Sequence, residues 1–110
     1  MILKNLTRKT IIFDNIKVAS SYYDNLFGLL QQDNQAMIFN TRFGIHTFGI
    51  KEKIDVFVLD KDSKVVKMKT VSPNNLFFWN PKYNMVIELP KGTLSKSKTK
   101  IGDVLFLAKK

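Results

Sequence analysis

The sequence predicts a single α+β domain dominated by antiparallel β-structure, either a small curled sheet or a partly open barrel, with one main helix near residues 20–30. Three observations lead to this prediction. The 110 residues suffice for one hydrophobic core and not for two. Apolar residues occur in about seven or eight short runs separated by turn-forming residues, whereas only one segment shows helical spacing. The composition, with 45% hydrophobic and 25% charged residues, is that of a globular protein.

The N-terminal third supplies two strands and the helix. Residues 1–6 and 10–18 are rich in isoleucine, leucine and valine, and residues 7–9 suit a turn between them. Ser20 and Ser21 then offer N-cap hydroxyls. Residues at three- and four-residue spacing follow on one helical face, namely Tyr22, Tyr23, Leu26, Phe27 and Leu30. We expect this aromatic face to pack against the core.

The middle of the chain predicts four more strands. Residues 36–39 and 45–50 form two apolar runs that could pair as a hairpin. Residues 54–59 are apolar on both faces, which is typical of a central strand covered on both sides. A turn at 60–64 leads into a strand at 65–71, whose alternating lysines indicate one solvated face.

The C-terminal part predicts two further strands around exposed loops. Residues 72–83 contain two prolines and three asparagines, and we expect them to lack regular structure and to form a functional loop or a cover over the core. Residues 85–89 and 104–107 are the last two strands. Residues 93–99 suit a short helical turn that the neighbouring lysines make strongly exposed.

The charge balance bears on possible partners. A net charge of +9 favours an acidic partner such as nucleic acid or an anionic surface. However, all of the 18 cationic residues except Arg8 and Arg42 are lysines. Proteins that recognise nucleic-acid bases and phosphates rely on the forked guanidinium group of arginine. We therefore prefer a solvated lysine surface, and a small-molecule or anionic ligand stays possible. With no cysteine and one histidine, disulfides, thiolate zinc sites and multi-histidine sites are excluded, and we predict no metal or cofactor.

No targeting or membrane segment is evident. No apolar run approaches the roughly 20 residues of a membrane-spanning helix. Lys4, Arg8 and Lys9 are followed by only three apolar residues before Asp14, fewer than the roughly 7–15 that a secretory signal requires. We therefore expect the protein to be cytoplasmic.

Two polar residues stand out in the apolar stretch at 45–60. His46 is the only histidine, and a carboxylate such as Asp55 beside it would suit a general base. The alternative is structural, with Asp55 accepting backbone N–H groups or His46 and joining two strands. Glu88, inside another apolar strand, admits the same two interpretations. For His46 and Asp55 we prefer the structural interpretation.

Two further features could contact a ligand. Residues 77–79 are Phe-Phe-Trp, which could stack a base, a sugar or a peptide, or could close one end of the core. The strongest local basic patch, free of acidic residues, consists of Lys91, Lys96, Lys98 and Lys100 and is a candidate for anion binding. The candidate ligand-binding residues are His46, Phe48, Asp55, Trp79 and Glu88.

The chain resembles a known family. Residues 45–48 (Ile-His-Thr-Phe), followed by Ile-Asp and an apolar strand ending in aspartate at 54–60, resemble the signature of domain-of-unknown-function family 192. The apolar strand at 36–39, the Glu-Leu-Pro-Lys-Gly-Thr element at 88–93 and the Ile-Gly-Asp turn at 101–103 match further elements in the same order.

The resemblance implies a compact, mostly-β fold with one helix and no established biochemical activity. Ile50 stands where the family usually has methionine, and residues 52–53 replace a common aromatic-proline pair, so a site lined by that pair would have changed its shape here. We predict a non-enzymatic binding or accessory module with a pocket near His46, Asp55 and residues 77–79. The alternatives are a nucleic-acid-associated protein using the 91–100 patch and a hydrolase-like enzyme using His46 and Asp55.

Overall fold

A computed structural model describes residues 1–18, 36–42 and 44–109. The described residues form ten strands and one short helix. The strands are β1 (Ile2–Asn5), β2 (Thr10–Phe13), β3 (Ile16–Val18), β4 (Ala36–Asn40), β5 (Gly44–His46), β6 (Ile54–Leu59), β7 (Val65–Val71), β8 (Leu76–Phe78), β9 (Met85–Pro90) and β10 (Leu105–Ala108), and the helix is α1 (Thr93–Ser97). The predicted helix at 20–30 lies outside the described residues.

The largest sheet has five strands in the order β3-β4-β9-β6-β7. Its β3–β4 pair is parallel and the other pairs are antiparallel. β6 is paired on both sides, and all six of its residues are buried, which confirms the prediction of a central strand. β7 exposes its lysines on one face, also as predicted.

Two smaller sheets complete the fold. One is the antiparallel sheet β10-β1-β2, which brings the two ends of the chain together. The other is a two-stranded ribbon formed by β5 and β8. In the described part of the chain the sheets do not close into a barrel. The predicted fold class, α+β dominated by antiparallel β-structure, is confirmed, with ten strands where about seven or eight were predicted.

The five-stranded sheet separates two apolar clusters. Because neighbouring side chains of a strand point to opposite faces, Val56 and Val58 join one cluster while Phe57 joins the other. The ribbon covers the first cluster, to which it contributes Ile45 and Phe77, and Trp79, directly after β8, joins the same cluster. The three-stranded sheet covers the second cluster with Leu3, Ile12 and Leu105.

Several local predictions need correction. The strands at 36–39 and 45–50 do not form a hairpin, since β4 pairs with β3 and β9 while β5 pairs with β8. β4 is buried along most of its length, and a place inside the large sheet satisfies its backbone groups better than a two-stranded hairpin would. Residues 72–83 contain β8, and the single strand predicted at 10–18 is divided into β2 and β3 at the turn-forming pair 14–15.

α1 confirms the helical turn predicted at 93–99. Gly92 precedes it with φ 89°, a left-handed conformation that glycine adopts without strain. The prediction of strong exposure is wrong for part of this segment, because Thr93, Ser97 and Thr99 are buried. With five residues, α1 is far too short to cross a bilayer, and the remaining described residues supply no membrane-spanning helix either.

Candidate functional site

The ribbon places an apolar surface in solvent. Strand alternation turns Ile45 and Phe77 inward, and it turns Leu76 and Phe78 outward with 55% and 59% of their surface exposed. Phe48, just after β5, is 51% exposed. We call the surface formed by His46, Phe48, Leu76 and Phe78 the aromatic face.

The members of the aromatic face lie on the same side of the ribbon. The rings of His46 and Phe48 are stacked, with centroids 5.0 Å apart and planes 23° from parallel. Leu76 is the cross-strand partner of His46, and Phe78 is the partner of Gly44. A Cβ atom on Gly44 would lie 2.6 Å from Cδ1 of Phe78, so this ring covers the glycine closely. His46, Leu76 and Phe78 therefore lie on the outward side of the ribbon, and Phe48 stacks on His46.

Thr47 fixes the end of the ribbon. It is fully buried, its hydroxyl donates to the carbonyl oxygen of Ser72 at 2.7 Å, and the same oxygen accepts the Asn75 N–H at 2.9 Å. Its backbone is also bonded to Asn74 and Asn75. These bonds hold the turn after β5 against the turn before β8. This role was missed at the sequence level, although a threonine between two outward positions of a strand gives a signal for it.

The predicted pocket near His46 is divided between surface and interior. His46 and Phe48 belong to the aromatic face, whereas Trp79 is buried and donates its indole N–H to the Tyr83 carbonyl at 2.9 Å. Of the three loop aromatics, two therefore close the core and only Phe78 faces solvent.

The carboxylate of Asp55 is buried and accepts a hydrogen bond on each oxygen. One oxygen accepts the Thr70 hydroxyl at 2.7 Å, and the other accepts the Leu94 N–H at 2.9 Å. The buried carboxylate thereby joins β6 to β7 and to α1. Within the described residues its hydrogen bonds do not include His46, so the pair required by the hydrolase-like alternative is not formed.

Glu88 is a buried carboxyl in the middle of the large sheet. Its strand neighbours are Met37 on β4 and Val56 on β6, both apolar. Burial raises the pKa of Glu88 from 4.5 to about 8. Among the described residues its Oε1 atom has no hydrogen-bond partner. The carboxyl is therefore held in its neutral form at neutral pH.

A polar cluster around Asp103 ties the C-terminal turn to β1. Its carboxylate accepts the Asn5 amide at 2.9 Å, the Arg8 guanidinium at 2.6 Å and the Lys100 N–H at 3.0 Å. Burial acts to raise the pKa of Asp103, but these hydrogen bonds and the charge of Arg8 together hold it below its usual value. The local bond to Lys100 fits the predicted turn role, and the two long-range partners were missed.

A concave groove lies between β2 and the start of α1. Its volume is about 380 Å³, and residues 11–14 and 90–93 line it together with Lys96. Two of the four lysines predicted to bind anions, Lys91 and Lys96, belong to this lining, while Lys98 and Lys100 do not. The Lys91 ammonium also lies 3.6 Å from a Glu52 oxygen, an exposed ion pair of little energetic weight.

The fold and these surfaces define a small, mostly-β protein with a basic groove and an exposed aromatic ribbon. The chain belongs to the DUF192 family, since the family model described as "Uncharacterized ACR" matches residues 3–107. This confirms the family resemblance of the sequence.

Two proteins of known sequence and one solved structure are similar to the chain. A UPF0127 protein of Pyrococcus horikoshii is 30% identical over 95 residues, which are 80% of this chain and 83% of that protein. A UPF0127 protein of Thermococcus sibiricus is 28% identical over 109 residues, covering 92% and 71%. A crystal structure of a protein of unknown function from Novosphingobium aromaticivorans shares the fold, with a TM-score of 0.75, 15% identity and coverage of 96% and 82%.

Proposed function

We propose that the protein is a non-enzymatic binding module that holds a small organic anion in the groove between β2 and α1. The observation that carries this proposal is the combination, in one concave surface, of apolar side chains from β2 with the two lysines Lys91 and Lys96. The site differs from the pocket that the sequence predicted near His46, and it uses half of the predicted anion-binding patch.

The size and the apolar part of the lining indicate a ligand with a hydrophobic body. A volume of about 380 Å³ lies at the lower end of the range of small-molecule sites. Ile11 in the lining is 63% exposed, and Phe13 and Pro90 are half-buried. A ligand that covers these side chains gains roughly 25 cal/mol for each Å² of apolar surface that it removes from water.

The charge of the lining favours an anionic head group. Within the lining, Lys91 and Lys96 bring two positive charges against the single negative charge of Asp14. Glu52, outside the lining, lies 3.6 Å from the Lys91 ammonium as an exposed partner. Ammonium groups act as compact point charges and do not demand the planar geometry of an arginine fork. A carboxylate, sulfonate or phosphate would therefore suit the site, and no covalent step is required of any residue in it.

A fluorescence titration with 1-anilinonaphthalene-8-sulfonate tests the proposal, because this probe joins an aromatic body to one sulfonate. The double variant Lys91→Ala/Lys96→Ala should bind it roughly tenfold more weakly than the parent protein, since two exposed charge contacts contribute about 0.5–1 kcal/mol each. The matched control is Lys98→Ala/Lys100→Ala, which removes the same charge from the same segment outside the groove.

A neutral analogue separates the two parts of the recognition. N-phenyl-1-naphthylamine should bind the parent protein and both double variants equally. If both double variants lose the same affinity for the sulfonate probe, the net charge of the protein explains the loss, and this result would contradict a site in the groove. Tight binding of an oligonucleotide that requires all four lysines would instead support the alternative of a nucleic-acid-associated protein.

A further inference from the structure

The aromatic face is an interaction surface separate from the groove. Leu76, Phe78 and Phe48 are each more than half exposed, and they share the outward side of the ribbon with His46, on which Phe48 stacks. Exposed apolar side chains that are grouped on one surface mark a site of interaction with a partner. We propose that the aromatic face binds single-stranded nucleic acid, with bases stacking on Phe48 and Phe78 and with phosphates contacting the lysines around the ribbon.

The charges around the ribbon favour a polyanion. Residues 41–53 and 72–83, which contain both strands and their turns, carry four cations against the one anion Glu52; the cations are Arg42, Lys51, Lys53 and Lys82. Lys67 adds a fifth from β7, because its ammonium donates to the Phe78 carbonyl at 2.7 Å and lies 4.9 Å from the centre of the Phe77 ring. A second copy of this chain would bring the same positive charge to the contact and is disfavoured.

The shape of the patch favours bases over other apolar groups. The faces of exposed aromatic rings on a two-stranded ribbon suit flat partners, and every base offers a π-face. Bases inside a duplex are already stacked on their neighbours, so a protein of this kind engages a single strand. Because most of the surrounding cations are lysines, whose ammonium groups lack the planar fork of arginine, the binding should tolerate many sequences.

The test is fluorescence anisotropy with a labelled oligothymidylate of about 20 nucleotides at low salt. The double variant Phe48→Ala/Phe78→Ala should lose at least tenfold in affinity, because two stacking contacts are removed. The matched control is Phe106→Ala, since Phe106 on β10 is 52% exposed but lies in a different sheet. This control should bind like the parent protein.

Two further measurements separate stacking from charge. The variant Lys51→Ala/Lys53→Ala should lower the magnitude of the slope of log affinity against log salt by about 1.4, as expected for two phosphate contacts with a single strand. Inorganic polyphosphate, which has charge but no bases, should compete much less well than unlabelled oligothymidylate. Urea unfolding followed by Trp79 fluorescence checks that each variant is folded, and the single variant Phe48→Ala replaces the double one if that fails.

Four results with nucleic acid or polyphosphate would overturn the proposal. They are the absence of binding by the parent protein, a loss in the phenylalanine double variant no larger than in Phe106→Ala, equal competition by polyphosphate, and equal affinity for a duplex. Binding to vesicles rich in phosphatidylserine without binding to the oligonucleotide would also overturn it and would assign the aromatic face to a membrane surface. All of these results are independent of the outcome at the groove.

Discussion

Glu88 makes the stability of the protein depend on pH in an unusual direction. Its pKa is about 8 in the folded protein, because the carboxyl is desolvated, and 4.5 is the ordinary value. Between these two values the folded state holds the proton and the unfolded chain has released it, so folding takes up a proton. The free energy of unfolding is therefore highest below about pH 4.5 with respect to this group, and it falls as the pH rises toward 8.

The size of the effect follows from the separation of the two pKa values. Each pH unit within the window changes the free energy of unfolding by about 1.4 kcal/mol, and the whole window corresponds to something on the order of 5 kcal/mol. Small domains have only about 5–15 kcal/mol in total. Raising the pH to about 9 should therefore remove a large fraction of the stability of the protein.

Urea unfolding followed by Trp79 fluorescence measures this dependence, because the single tryptophan is buried in the folded state and urea leaves the ionic strength unchanged. The control Glu88→Gln has nearly the same shape and no proton to exchange, so its stability should lack this slope. Glu88→Met, an apolar residue of similar length, should be more stable than the parent protein at high pH. Equal stability of the parent protein at about pH 5 and pH 9, or an unchanged slope in Glu88→Gln, would refute the reasoning.

Three other substitutions test the contacts that hold the fold. Asp103→Asn should destabilise the protein by about 1–3 kcal/mol at neutral pH. Because the pKa of Asp103 is lowered in the folded protein, the stability that its carboxylate confers should disappear as the pH falls below about 4. Acid titration followed by circular dichroism measures this loss. Gly44→Ala should cost about 1–3 kcal/mol in urea unfolding, since its Cβ would lie 2.6 Å from the Phe77 carbonyl oxygen, and unchanged stability would contradict this close approach. Asp55→Ala leaves the Leu94 N–H without its acceptor and should lower the free energy of unfolding by about 1–3 kcal/mol, measured as a lower thermal midpoint. An unchanged thermal midpoint would contradict the role of Asp55 as the link to α1.

Local patterns in the sequence predicted the features that depend on neighbouring residues. The apolar stretch at 54–59 lacks a polar face, so both of its faces had to be shielded from water. All six residues of β6 are indeed buried. The turn at 60–64 and the helical turn at 93–99 follow from their residue types in the same way. Residues 77–79 were treated as one aromatic group, but a period of two, which was available in the sequence, separates the outward Phe78 from its two buried neighbours.

Features that join distant segments could not be predicted in this way. The pairing of β5 with β8 brings together residues about thirty positions apart, and it depends on which apolar face the large sheet leaves uncovered. The groove combines residues 11–14 with residues 90–96. Lysines 91, 96, 98 and 100 look alike in the sequence, and only the position of β2 decides which of them line the groove. The hydrogen bonds from Asn5 and Arg8 to Asp103 also join distant segments, so neighbouring residues in the sequence do not predict them.

The stretch at 45–48, which covers the end of β5 and the two residues after it, contributes to the core and to the aromatic face together. Ile45 and Thr47 point inward, where one joins the core and the other bonds to Ser72 and Asn75, while His46 and Phe48 point outward. Because the inward contacts fix the ribbon, the outward side chains can change without loss of the strand. Side chains whose backbone is held by such contacts lose less ordering entropy on binding than side chains of a flexible loop. The aromatic face therefore suits a flat, sequence-tolerant contact better than one that must adapt its shape.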